Sequence, residues 1–181
     1  MTNHVHHAGC GCLAALSRRS LFGMGVAGAA LMAAPRLAFA QKPSVTYEAM
    51  LMNCIDPRFS TFTWAWMQTR DWQNLYSQFT IAGGPIAAVA PVFEPWRKAW
   101  WDNLEISISL HQVKRMVGLV HRDCGAAAVA YGDEIKKNPA FETTKLTEAL
   151  RAFRDEVKKR QPKLDVQLAI MAVNGAVEPV A

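Results

Sequence analysis

Two apolar runs, each reaching a potential metal ligand, constrain this chain more than any other feature. Ala49 to Ile55 carries Cys54 near its end, and Lys114 to His121 stops at an imidazole with Cys124 three residues beyond. Short continuous apolar runs bounded by polar loops read as strands buried on both faces, the pattern of a parallel sheet. In such sheets the functional loops follow the C-terminal ends of the strands. Two clusters far apart in sequence can therefore meet at one ion.

The intervening segments support an α/β fold, a mostly parallel β-sheet flanked by helices. Phe59 to Leu75 is aromatic-rich and predicts a helix. Tyr76 to Ile81 predicts a second strand, closed by Ala82-Gly83-Gly84-Pro85. Pro91 to Gln112 reads as mainly helical, with Trp96, Trp100, Leu104 and Ile108 on one face. Ala126 to Tyr131 starts a short helix. Thr143 to Arg160 is amphipathic, with Leu146, Leu150, Phe153 and Val157 inward. Val166 to Val173 is a last apolar strand, and Asn174-Gly175 is a turn signal. All six tryptophans fall between Trp64 and Trp101, a concentration that suits core packing or an oligomer interface.

Residues 1–40 read as a targeting segment. Ser17-Arg18-Arg19-Ser20-Leu21-Phe22 is a twin-arginine pattern, Leu21 to Ala34 is apolar and uncharged, and Ala38-Phe39-Ala40 matches a signal-peptidase site. The stretch is short and glycine-rich for a transmembrane helix; the alternative is an uncleaved anchor. The expectation is export by the twin-arginine machinery to the periplasm or beyond, leaving residues 41–181 as one domain. His4, His6, His7, Cys10 and Cys12 resemble a metal-binding tract but would leave with the signal peptide. Residues 1–40 hold three arginines and no acid, so the remainder carries 17 Lys+Arg against 15 Asp+Glu. No basic stripe is left to argue for nucleic acid.

Cys54, His121 and Cys124 offer two thiolates and an imidazole, a donor set that suits zinc. Three protein ligands leave a fourth position open, as catalytic zinc sites do. Asp56 and Arg58 add a carboxylate and a guanidinium that a structural zinc knuckle does not need. Arg58 can hold Asp56 by a bidentate pair and keep it ionised. Asp56 then either orients a zinc-bound hydroxide or binds the metal itself. Asp123 is an exposed loop acid or a partner of the ligands. Without a metal, the two cysteines would instead pair as a disulfide and His121 would be a structural histidine.

With these residues in place, the chain resembles the β-class carbonic anhydrases. Cys54-x-Asp56-x-Arg58 is similar to that family's first zinc motif and His121-x-x-Cys124-Gly125-Ala126 to its second. Leu104 through Val117 resembles the helix-and-strand approach to the second motif, and Ala82-Gly83-Gly84 the glycine turn between them. The resemblance covers most of Met50 to Tyr131. It implies zinc, reversible hydration of carbon dioxide to bicarbonate and a proton, Asp56 and Arg58 as an orienting dyad, a substrate pocket near Ala82, Gly83 and Gly84, and a homodimer or higher homo-oligomer. The sequence departs from the family in three places. Thr80-Ile81 stands where the family usually has Arg-Asn, no glutamine lies just before Cys54, and the N-terminal helical arm is missing. Those departures motivate two other readings of the same site: hydrolysis of carbonyl sulfide or carbon disulfide, and a non-catalytic zinc-binding or interaction domain.

Overall fold

A computed structural model describes residues 46–181. The expected targeting segment and the histidine-cysteine tract within it lie outside the described residues.

Strands β1 (Ala49–Asn53), β2 (Tyr76–Thr80), β3 (Arg115–His121), β4 (Asp165–Met171) and β5 (Val177–Val180) form one sheet in the order β2-β1-β3-β4-β5. The first four strands are parallel and β5 runs antiparallel to β4. The expected α/β architecture is therefore observed. Helices α1 (Ser60–Gln68), α2 (Pro85–Val89), α3 (Arg97–His111), α4 (Gly125–Tyr131), α5 (Glu134–Lys137) and α6 (Pro139–Arg160) connect the strands.

β1 is completely buried and β3 nearly so, which explains their unbroken apolar sequences. Alternation then divides the core in two. Met50, Met52, Met116 and Val120 pack with Trp100, Leu104, Leu146, Leu150 and Phe153 of α3 and α6. Ala49, Leu51, Val117 and Leu119 pack on the other face with Phe59 and Met67. Met52 pairs with Gly118. Cys54, two residues beyond Met52, and His121, three beyond Gly118, thus leave the sheet at the same edge.

Helix α6 begins four residues before the expected Thr143. Asn138 caps it by accepting from the N–H groups of Ala140 and Phe141, and Pro139 takes the first turn, where its missing N–H is not needed. The expected inward row of Leu146, Leu150, Phe153 and Val157 is fully buried. Helix α1, in contrast, stops at Gln68 rather than Leu75. Asp71 and Asn74 adopt φ of 57° and 61°, a left-handed conformation these residues tolerate, and they turn the chain into β2.

The expected face of α3 is shifted. Pro91–Trp96 is a 3-10 turn, and Trp96 stacks on Phe93 with a centroid spacing of 4.7 Å while remaining exposed. The buried row is Trp100, Trp101, Leu104 and Ser107, with Ile108 at its margin. The last expected strand ends at Met171, and Asn174-Gly175 turns the chain back as β5. Helices α2 and α5 and strand β5 span about one turn or four residues each, too short to register as periodicity.

Gly118 is the tightest point of the sheet. A Cβ there would lie 2.9 Å from Phe153 Cε1 and 3.2 Å from Leu168 Cδ2. Both neighbours are buried, so the space cannot be relieved into solvent. Gly118→Val is expected to destabilise the fold by about 1–3 kcal/mol through overpacking. Urea unfolding should show a lower midpoint with an unchanged slope.

Candidate metal centre

The two clusters meet where β1 and β3 end. One ligand atom each from Cys54, His121 and Cys124 lies within 4.8 Å of the others, and all three residues are buried. Each is positioned by a different local device.

His121 is the last residue of β3. Its ring stacks on Phe59 with centroids 4.0 Å apart, and its Nδ1 lies 2.8 Å from the Arg122 carbonyl oxygen. A carbonyl can only accept, so Nδ1 carries the proton and Nε2 presents its lone pair. Nε2 is buried and has no hydrogen-bond partner among the described residues. A buried, unpartnered nitrogen is costly unless something electrophilic meets it, and a metal ion fits that need.

Cys54 is held by the glycine turn. The Gly83 N–H donates to Cys54 Sγ at 3.2 Å. Gly84 approaches so closely that a Cβ would lie 2.9–3.1 Å from the backbone of Asn53 and Cys54, and its φ of 54° suits only glycine well. Gly83 therefore sits against the Cys54 sulfur and Gly84 against the Cys54 backbone, with Ala82 preceding them in the same turn. Cys124 is the N-cap of α4. Both cysteines are free thiols.

The two thiols act on each other. A hydrogen bond from Cys124 pushes the Cys54 thiol down to about 4, against the opposing effect of burial; His121 and the Gly83 N–H act in the same direction as Cys124. Cys124 is pushed up by its hydrogen bond with Cys54, and further by burial. Burial by itself lowers the His121 pKa, but the nearby Cys54 sulfur and the Arg122 carbonyl turn the net shift upward. A pair that shares one proton in this way is a ready dithiolate once a divalent cation replaces that proton. The donors present thus fit zinc: two sulfurs, one imidazole nitrogen, and a position left over.

Asp56 does not join the group of three. Its carboxylate is turned to Arg58: Oδ1 accepts from the Arg58 backbone N–H at 3.0 Å, and Oδ2 accepts from Nη2 at 2.7 Å. Nε lies 3.1 Å from both oxygens. The hydrogen bond from Arg58 is the main cause that holds the Asp56 carboxyl below its ordinary range. Arg58 is half exposed, so the pair's value lies in orientation more than in stability.

Arg58 also ties the first cluster to the second. Its Nη1 donates to Asp123 Oδ2 at 2.8 Å and its Nη2 to the Asp123 carbonyl at 3.1 Å. Asp123 has a φ of 56°, uncommon outside glycine. Glu142, in the first turn of α6, holds it there: Oε1 accepts the Asp123 N–H at 2.7 Å, and Oε2 accepts from Arg122 Nη1 at 3.3 Å. Arg122 donates in addition to Thr143 Oγ1 at 2.6 Å. Glu142, Arg122 and Phe59 carry no motif spacing, and only the Asn138-Pro139 start of α6 hints in sequence that Glu142 is helical. His111, the last residue of α3, stacks on Tyr47 with centroids 4.1 Å apart.

No protein-family model matches the chain. An uncharacterized protein of Rickettsia conorii is 29% identical over 131 residues, covering 72% of this chain and 70% of that one. Among solved structures, a tetrameric β-carbonic anhydrase of Sordaria macrospora superimposes with a TM-score of 0.50 at 16% identity, covering 76% of this chain and 82% of its own. A carbonic anhydrase from Glaciozyma antarctica gives a TM-score of 0.51 at 15% identity, with 78% and 87% covered. The chain has the fold of the β-carbonic anhydrases. At its strand ends that fold carries a buried Cys-His-Cys group able to hold a metal ion.

Glu142 buttresses the loop that carries Cys124. Glu142→Gln removes the charge that holds both the Asp123 N–H and Arg122, and is expected to weaken zinc binding by about 10-fold, the lower end of the usual effect of a ligand-supporting residue. Competition with a chromophoric chelator measures it.

Proposed function

We propose that this chain is an exported zinc enzyme that hydrates carbon dioxide reversibly to bicarbonate and a proton. The observation that carries the reading is the convergence of two thiols and an unpartnered buried imidazole nitrogen beside an arginine-pinned carboxylate. The β-carbonic anhydrase fold supports it.

Cys54 and Cys124 would bind zinc as thiolates and His121 through Nε2. Zinc bound there supplies a Lewis acid that brings the pKa of a water toward 7. Two thiolates donate more charge than imidazoles do, so a hydrogen-bond acceptor that orients the attacking oxygen gains importance. Asp56 is the residue for that role. Arg58 pairs with its carboxylate through Nη2, Nε and the backbone N–H and keeps it ionised, so a zinc-bound donor would take the place of the shared Nε contact. Arg58, anchored on Asp123, in turn prevents Asp56 from swinging away. Ala82, Gly83 and Gly84 bring a backbone N–H to Cys54 and border the same space.

The Sordaria enzyme is described as tetrameric. This chain exposes Ile55 between Cys54 and Asp56, and Trp64 and Trp96 elsewhere. Assembly into a homo-oligomer would cover such side chains and close the site to bulk water. Residues 1–40 supply the export signal, and transport in the folded state would allow zinc to enter before the thiols meet an oxidising compartment. Replacing Arg18 and Arg19 together by lysine should leave the chain in the cytoplasmic fraction.

Stopped-flow hydration on the zinc-loaded protein tests the reaction. The expected outcome is turnover well above buffer, reduced about 10–100-fold by Asp56→Asn with zinc content unchanged. Zinc-loaded protein no faster than buffer would remove the proposal. Hydrogen sulfide released from carbonyl sulfide or carbon disulfide would then favour hydrolysis at the same site. Absence of both activities would favour a zinc-binding module.

A further inference from the structure

On the α1 face of the sheet, well away from the metal centre, Trp66, Arg70, Trp72 and Arg115 form a continuous cation–π stack. The Arg70 guanidinium carbon lies 4.1 Å from the Trp66 ring centroid and 5.0 Å from that of Trp72. Arg115 lies over Trp72 as well, at 4.6 Å. Arg70 Nη1 donates to Gln167 Oε1 at 2.7 Å, and Gln167 Nε2 donates to Asp165 at 3.2 Å. The guanidinium is thus gripped on its faces and at one corner. Its Nε and Nη2 donate to no acceptor among the described residues, and they are not buried.

Four of the eight described arginines face an acid, and Arg70 is not one of them. Arg58, Arg115, Arg122 and Arg154 each face a carboxylate within 4.0 Å. Arg70 faces none within that distance among the described residues. Glu48, which faces the Arg115 end of the stack, is already shared between Lys114 at 2.5 Å and Arg115 at 3.7 Å. Burial, and then repulsion from Arg115, push the Arg70 pKa down. An anion arriving at its free edge would relieve both effects.

Next to that edge is a cleft of about 330 Å³, lined by Trp66 and Arg70 and walled by Ala169, Val177 and Pro179 on the α1 face of β4 and β5. We propose that this cleft binds a small organic carboxylate, its head on the free edge of Arg70 and its apolar body along the β4–β5 wall. A volume near the lower limit of ligand pockets suits a compact acid rather than a nucleotide. The apolar wall gives an inorganic anion nothing to bury. A guanidinium fixed by two indoles and Gln167 loses little freedom on binding, and matches a carboxylate in two-point fashion. The site is separate from the metal centre, because β4 passes Val166 and Leu168 before Met171, which pairs with His121. Zinc is not needed for binding.

The test titrates the full chain with isovalerate and follows the indole N–H resonances of Trp66 and Trp72 by NMR. Isovaleramide, which lacks the charge, and sulfate at matched ionic strength, which lacks the apolar body, serve as controls. Saturable shifts with isovalerate alone are expected, with and without zinc. Arg70→Gln should weaken binding at least tenfold. Pro179→Glu, which keeps Arg70 but sets a carboxylate in the cleft, should do the same if the first variant fails to fold. Equal responses to the controls, unchanged affinity in the variants, or no saturable shift would overturn the proposal. Shifts that follow protein concentration and ignore isovalerate would overturn it too, in favour of a second copy on this face.

Discussion

The parallel pairing of β1 with β3 is the constraint on which the rest of the structure depends. With Met52 opposite Gly118, Cys54 and His121 emerge side by side at one edge. Side-chain alternation sends the two strands' residues to opposite cores, so a slip of one residue would bury the wrong set on each face. The register is in turn protected by Gly118, where Phe153 and Leu168 leave no room for a side chain. The packing of α6 on the sheet and the placement of the ligands are therefore one problem solved once.

A second layer of interactions converts that coarse placement into a site. The glycine turn after β2 brings the Gly83 N–H to the Cys54 sulfur. Phe59 and the Arg122 carbonyl set the plane and tautomer of His121. Arg58 spans Asp56 and Asp123, and Glu142 clamps Asp123 and Arg122 from α6. The exposed ion pairs in this network contribute little to folding energy. Their effect is to remove rotational freedom from groups that must act in one orientation.

Much of this was legible in the sequence, for identifiable reasons. Strands buried on both faces leave uninterrupted apolar runs, so β1 and β3 were evident, and ligands at their ends were evident with them. Helix α6 is long enough for its periodicity to show. The glycine pair marks a turn in the sequence, although its contact with Cys54 appears only in the fold. Where tertiary contacts decide, the sequence was silent. The pairing of Arg58 with Asp123 and the role of Glu142 have no spacing rule. The spacing of Trp96 with Trp100 predicts a shared helix face, but Pro91 and Pro95 belong to a 3-10 turn, and the aromatic run predicts a helix to Leu75, but Asp71 and Asn74 turn left-handed. The four tryptophans and arginines stacked beside β4 combine residues from α1, the following loop and β3, an arrangement only the fold reveals.

The central claim is that Cys54, His121 and Cys124 together hold one zinc ion and leave one position open. X-ray absorption at the zinc edge on the purified protein tests it most directly. The account predicts one zinc per chain, with two sulfur scatterers at about 2.3 Å, one imidazole nitrogen at about 2.0 Å and one further light atom. A protein that takes up no zinc with its two thiols reduced, or a shell with any other sulfur count, would contradict it.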